Sequence, residues 1–264
     1  MKKNKIHPPF TKTSLAAWRW LAAVPLSVLF ILCFIPLAQS ADAFHRNIIG
    51  FSADGRWFAF EQFGSQDGSG FPEATLFVLD TAKDRWAKST PIRAELEDEN
   101  KSEYHALDIV RARGARILRQ KRIKYPGHLL ASKPLTSNPD PVHSITFQTA
   151  YPHGQHIHLN LVVTPVGMLE SCVVEPASRL ALSIGRPSEA KTIVYNDSRL
   201  PKSRGCPVAY SIADIIAQPG IMHSSNPQKL VVLIHMYSRG YEGHDVRFLA
   251  IPISVDLPNE NKWP

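Results

Sequence analysis

No acidic residue occurs in this 264-residue chain before Asp42. Five basic residues precede it: Lys2, Lys3, Lys5, Lys12 and Arg19. From Trp20 to Ala41 there is no charge of either sign. Cysteine is scarce, with three in the chain: Cys33, Cys172 and Cys206. Several motifs are missing: a Gly-x-Ser-x-Gly elbow, a phosphate loop, a dinucleotide fingerprint, His-Glu-x-x-His and Cys-x-x-Cys. Their absence removes the usual sequence grounds for an elbow hydrolase, a nucleotide enzyme, a zinc protease or a dithiol oxidoreductase.

The uneven charge of the first forty residues has a direct reading. A positive start is followed by an apolar middle, Leu21 to Leu37. Pro36 and the small residues Ala38, Ser40, Ala41 and Ala43 close it. This three-part pattern is that of a secretory signal peptide. Cleavage is expected after Ser40, with Ala43 as the alternative. The rival is an uncleaved anchor, because the uncharged run has 22 residues and about 20 span a bilayer. A membrane is expected as a partner only through such an uncleaved signal. The expected organisation is a signal peptide at 1–40 and one secreted β-rich domain at 41–264.

Removing the leader changes the charge balance. Five of the chain's 30 Lys and Arg lie in it, leaving 25 basic against 23 acidic residues. A net of +2 makes no case for a nucleic-acid partner, which calls for a clustered basic face. Cys172 and Cys206 are then the two cysteines of an exported chain. In an oxidising compartment an even pair is expected to bridge.

After residue 46 short β-prone runs dominate. Asn47 to Phe51, Arg56 to Phe63 and Ala74 to Asp80 are apolar and aromatic-rich, with the turn Ser52-Ala53-Asp54-Gly55 between the first two. A helix is expected over 102–122, with Gly114 as its weak point. Pro126 to Pro141 reads as a loop. Strands follow at Ser144 to Tyr151, His156 to Thr164, Met168 to Glu175, Leu180 to Ile184, Lys191 to Tyr195, Val208 to Ile216, Lys229 to Tyr237 and Val246 to Val255. Turns about every ten residues predict a mainly β fold of short antiparallel strands, partly propeller-like or a sandwich, with one helical insertion.

Two family resemblances rest on these runs. Phe51-Ser52-Ala53-Asp54-Gly55-Arg56-Trp57-Phe58-Ala59-Phe60, followed by Leu76-Phe77-Val78-Leu79-Asp80, resembles one blade of a TolB-type β-propeller. It covers about 35 residues, and a closed propeller needs several such repeats. The longer resemblance is to predicted secreted bacterial proteins, domain of unknown function 2259. It is carried by Ile49 to Glu61, Gln66 to Pro72, Ser203-Arg204-Gly205-Cys206-Pro207 and Gly240 to Phe248. It implies a secreted or periplasmic protein and brings no catalytic residue with it.

Candidate chemistry is thin. His153, His156 and His158 form His-x2-His-x-His. On a strand the last two share a face about 7 Å apart, a spacing that suits zinc; the plain alternative is the polar face of an exposed hairpin. Ser188-Glu189-Ala190-Lys191 matches Ser-x-x-Lys without the helix that chemistry needs. Glu61 with Asp67, or Glu242 with Asp245, are paired carboxylates of the kind glycosidases use. Two glycine-bearing loops are the favoured binding surfaces: Gln66, Asp67, Gly68 and Ser69 in one, Tyr241, Glu242 and Asp245 in the other. The expected function is a periplasmic, non-enzymatic binding or interaction module without a cofactor, whose partner is an envelope protein or ligand. The alternatives are a secreted carboxylate-dependent hydrolase and a periplasmic metal binder.

Overall fold

In the structure, a computed structural model, residues 44–135, 143–148, 156–169, 172–187, 189–219, 228–241 and 243–255 are described. They form three antiparallel sheets and one α-helix. Sheet 1 holds β1 (His45–Phe51), β2 (Trp57–Ser65), β3 (Pro72–Asp80), β4 (Arg85–Trp86) and β5 (Ile92–Glu95), with β4 and β5 sharing the outer edge of β3. Helix α1 (Glu103–Gln120) follows. Sheet 2 takes β6 (His128–Ser132), β11 (Pro207–Ala217), β12 (Gln228–Arg239) and β13 (His244–Val255), in the order β13-β12-β11-β6. Sheet 3 takes β7 (Ser144–Gln148), β8 (His156–Leu169), β9 (Cys172–Gly185) and β10 (Thr192–Asn196), in the order β10-β9-β8-β7.

The sheets stack in layers, with sheet 2 in the middle. Alternation along each strand decides which layer a side chain joins. On β12, Leu230, Val232 and Ile234 pack with Leu159, Leu161, Leu180 and Leu182 of sheet 3. Their neighbours Val231 and Leu233 pack with Phe51, Phe58, Phe60 and Leu79 of sheet 1. A strand covered on both faces needs apolar residues at every position, and Leu230 to Ile234 supplies them. Each such side chain contributes about 1.5–3 kcal/mol of burial. A register shift between Ile212 and Asp214 on β11 changes the parity, so Ile212 and Ile215 both join the sheet 3 side while Ala213 and Ile216 face sheet 1.

Helix α1 covers the outer face of sheet 1. Ala106, Leu107 and Val110 pack on Phe63, Ala74 and Leu76. Gly114 is a packing requirement rather than a weak point: a Cβ there would sit 2.0 Å from Leu76 Cδ2. The helix approaches the sheet so closely here that Leu76 must shift before any side chain can stand at this position.

The expected strands and the 102–122 helix are present, with three corrections. Met168 to Glu175 is not one strand: Met168 and Leu169 end β8, and Cys172 to Gly185 is continuous, carrying Pro176 within it. Residues 126–141 are not all loop, because β6 pairs with β11 there. β5 lies where no strand was expected, held by backbone pairing to Glu73–Leu76. The first four strands form an up-and-down meander, as a blade would, but its inner face lies flat on sheet 2. Of the two architectures the sequence allows, the described residues form the sandwich.

Cys172 and Cys206 are bridged, with Cα atoms 5.5 Å apart. The bond ties the start of β9 to the segment entering β11.

Candidate binding cleft

A cleft of about 580 Å³ runs along β13, within the size range of small-molecule sites. Sheet 1 forms one wall, through Phe77, Leu79, Trp86 and Arg93. β10 and the segment after it form the other, through Tyr195, Pro201 and Arg204. β13 supplies the floor with Phe248, Leu249, Ala250 and Ile251. Aromatic contacts stiffen it: Phe77 stacks on Phe60 at 4.7 Å between centroids and meets Trp86 at 5.0 Å. Arg85, Arg93, Arg204 and Arg247 line it, against Glu73 and Asp84.

Each charged wall residue has a different commitment. Glu73 is buried and pairs with Arg93 and Arg247, both at 3.4 Å. Arg204 is buried with Asp197: its Nη1 donates to Asp197 Oδ2 at 2.6 Å and its Nη2 to Tyr195 Oη at 2.6 Å. Tyr195 in turn donates to Asp197 Oδ1 at 2.8 Å. Burial pushes the Tyr195 phenol well up, helped by Asp197, and burial pushes Tyr210 up to about 12. Both phenols stay protonated and serve as donors in a closed network. Arg85 is exposed at the cleft and has no ion pair among the described residues.

The two glycine-bearing loops meet beside this cleft. Tyr241 donates its backbone N–H to Asp67 Oδ2. Gly240 fits because a Cβ would lie 2.5 Å from Asp245 Oδ1 and 2.7 Å from Asp67 Oδ2. Within the first loop, Ser69 Oγ donates to Gln66 Oε1 at 3.2 Å, and Gln66 Nε2 donates to Glu73 Oε2 at 3.3 Å. Glu73 therefore joins the loops to the cleft wall. Burial raises the Asp245 carboxyl, and Asp67 and Glu73 add to the rise against Arg247. Gly68 lies within 4 Å of Tyr241 when given a Cβ, and Tyr241 is 83% exposed. Glu242 lies outside the described residues.

Behind Phe248 lies a buried polar group that the sequence reading missed. Ser211 Oγ is 3.2 Å from His235 Nδ1 and 3.2 Å from Tyr237 Oη. Burial lowers the His235 pKa to about 4, so the ring is neutral at pH 7. Asp214 accepts from Arg46 Nη2 at 2.6 Å and from Ser132 Oγ at 2.7 Å. Ser211, His235 and Asp214 are each 3% exposed or less. Ser211, His235 and Tyr237 are sealed within sheet 2, and the Arg46–Asp214 ion pair links this group to sheet 1. The available signal was His235 and Asp214, each flanked by apolar residues on its strand.

Glu61 is buried on the helix side of sheet 1, accepting from Arg111 Nη2 at 2.9 Å and Asn47 Nδ2 at 2.9 Å. Its carboxylate is committed to Arg111 and Asn47, while Asp67 accepts from the Tyr241 backbone N–H. His156 and His158 lie on β8, with His158 Nδ1 2.8 Å from Thr146 Oγ1. His153 and Ser188 lie outside the described residues. Lys191 Nζ donates to Asn160 Oδ1 at 2.9 Å. Among the described residues no group of three His, Cys, Asp or Glu converges as metal ligands would.

A family model described as predicted secreted protein (DUF2259) matches residues 59–254. The chain belongs to this family. The match runs from β2 to the end of β13, so it spans all three sheets and the cleft of this DUF2259 protein. No curated protein and no solved structure matches the chain. The likeness of β1–β3 to a propeller blade is thus local, without a structural neighbour.

Proposed function

We propose that this DUF2259 protein is an exported, non-enzymatic binding module working in the periplasm, and that its ligand seat is the cleft along β13. The observation that carries this reading is the composition of the cleft. An aromatic and aliphatic floor lies under guanidinium groups where sheet 1 meets β13, and Glu73 on its wall accepts from Gln66 of the first loop. Such a site suits a ligand with an apolar body and a polar or anionic end. Nothing supports the hydrolase reading: Glu61 is spent on Arg111, and Glu242 lies outside the described residues. The metal reading has none either among the described residues.

Anilinonaphthalene sulfonate, an aromatic anion, is a suitable probe. One saturable site is expected by fluorescence titration. Trp86→Ala weakens it about tenfold, the value of one lost aromatic contact. Arg85→Glu weakens it without altering the unfolding midpoint. Binding that never saturates, or that ignores both substitutions, overturns the proposal.

A further inference from the structure

The second half of α1 and the segment after it carry Arg111, Arg113, Arg116, Arg119, Lys121, Arg122 and Lys124, with no acidic residue between them. Arg111 is committed to Glu61, and Arg113 Nη1 donates to the Arg93 carbonyl. Lys121 Nζ sits 3.7 Å from the Trp57 ring centre and Lys124 Nζ 5.2 Å from that of Tyr125. Arg116, Arg119 and Arg122 are exposed and make no ion pair among the described residues.

The helix macrodipole explains only part of this. Its favourable effect on cations is confined to the last turn, while the basic run starts a full turn earlier and continues to Lys124, beyond the helix end at Gln120. Apolar groups stand at the end of the run: Tyr125 is 38% exposed and Leu129 58%. Tyr125 is fixed there by a backbone bridge to Phe51. A cationic face followed by an exposed aromatic and an aliphatic side chain is the composition that sits on an anionic bilayer surface. A soluble polyanion would use the charges and have no use for Tyr125 and Leu129.

We infer that this exposed stretch, through Arg116, Arg119, Arg122, Tyr125 and Leu129, docks the exported protein on an anionic phospholipid surface. The charges hold it at the headgroups and the two apolar side chains enter the interface. The contact is separate from the cleft, whose lining residues it does not include. It also differs from anchoring by an uncleaved leader.

The test is co-sedimentation with vesicles of phosphatidylglycerol and phosphatidylcholine in equal parts, against phosphatidylcholine alone. Salt is held at about 0.1 M, where charges still act over about 10 Å. Wild type and variants are compared in the same processed state, verified by N-terminal sequencing. Binding is expected on the anionic vesicles alone. Each basic residue at such a surface is worth about fivefold in partition, so Arg116→Gln with Arg119→Gln loses about 30-fold. Tyr125→Ser with Leu129→Ser weakens vesicle binding but leaves retention on immobilised heparin unchanged. Both doubles alter exposed side chains, and an unchanged unfolding midpoint checks their fold. Absence of binding to anionic vesicles overturns the inference. So does binding that survives the arginine changes. Heparin retention with vesicle binding indifferent to Tyr125 and Leu129 would instead mark a polyanion site, and also overturns it.

Discussion

Lowering the pH tests the burial of His235 in sheet 2. His235 has a pKa of about 4 when folded, against 6.5 for the free side chain. Burial is the main cause. Asp214 acts in the opposite sense and Arg46 in the same sense as burial. The groups facing the ring are Ser211, Tyr237 and Phe248, the last at 5.2 Å between centroids. None of them supplies a carboxylate to an imidazolium. Above pH 6.5 both folded and unfolded chains hold a neutral ring, and the full stability is present. Between about 6.5 and 4 the unfolded chain binds the proton and the folded one does not. Stability therefore falls as the pH falls, and levels once the folded ring is protonated below about 4. A difference of about 2.5 in pKa is worth about 3 kcal/mol. The assay is urea unfolding at several pH values from 7.5 to 4, on the wild type and on His235→Asn, which keeps an amide near the position of Nδ1. Carboxylates common to both proteins cancel in the difference. That difference is expected to change by about 3 kcal/mol across the window, always in the sense that the wild type loses more on acidification. Parallel curves for the two proteins would refute a neutral, buried His235.

Two further outcomes follow from the packing. Replacing both Cys172 and Cys206 with Ser lowers stability by about 3–4 kcal/mol, the loop-closure value for a separation of 34 residues. A thiol assay on the unfolded, unreduced protein that finds two reactive groups besides any from Cys33 would contradict the bond. Gly114→Ala, which stabilises an ordinary exposed helix by about 1 kcal/mol, is expected here to destabilise by about 1–2 kcal/mol. The new methyl strikes Leu76, and overpacking costs about 1–3 kcal/mol. A raised unfolding midpoint would show that Leu76 has room to move.

The strand and helix pattern was readable because it depends on neighbours in the chain. Asp54-Gly55 turns the first hairpin: Gly55 N–H donates to the Ser52 carbonyl at 2.9 Å and Trp57 N–H to Ser52 Oγ at 3.0 Å. The exceptions were set from elsewhere. β5 and β6 have ordinary sequences and become strands because β3 and β11 offer them free edges. The two glycine-bearing loops stand out by composition, and their meeting at Asp67 and Tyr241, 174 residues apart, needed the fold. The cleft was illegible for the same reason: Trp86, Arg204 and Phe248 belong to three distant segments. Average charge also concealed something. A net of +2 gave no hint that seven basic residues share one stretch near α1's end, while the acidic residues gather elsewhere, as at Glu95 to Glu103.

Local chemistry therefore determined the leader pattern, the β character, the helix and the two cysteines available to pair. Periodicity, turn residues and even counts act within a few residues and survive reading in one dimension. The stacking of three sheets, the neutral His235, the tight seat of Gly114 and the arginine-lined cleft were decided only in three dimensions. Each depends on burial by segments far away in sequence, and burial is the quantity a linear sequence does not contain.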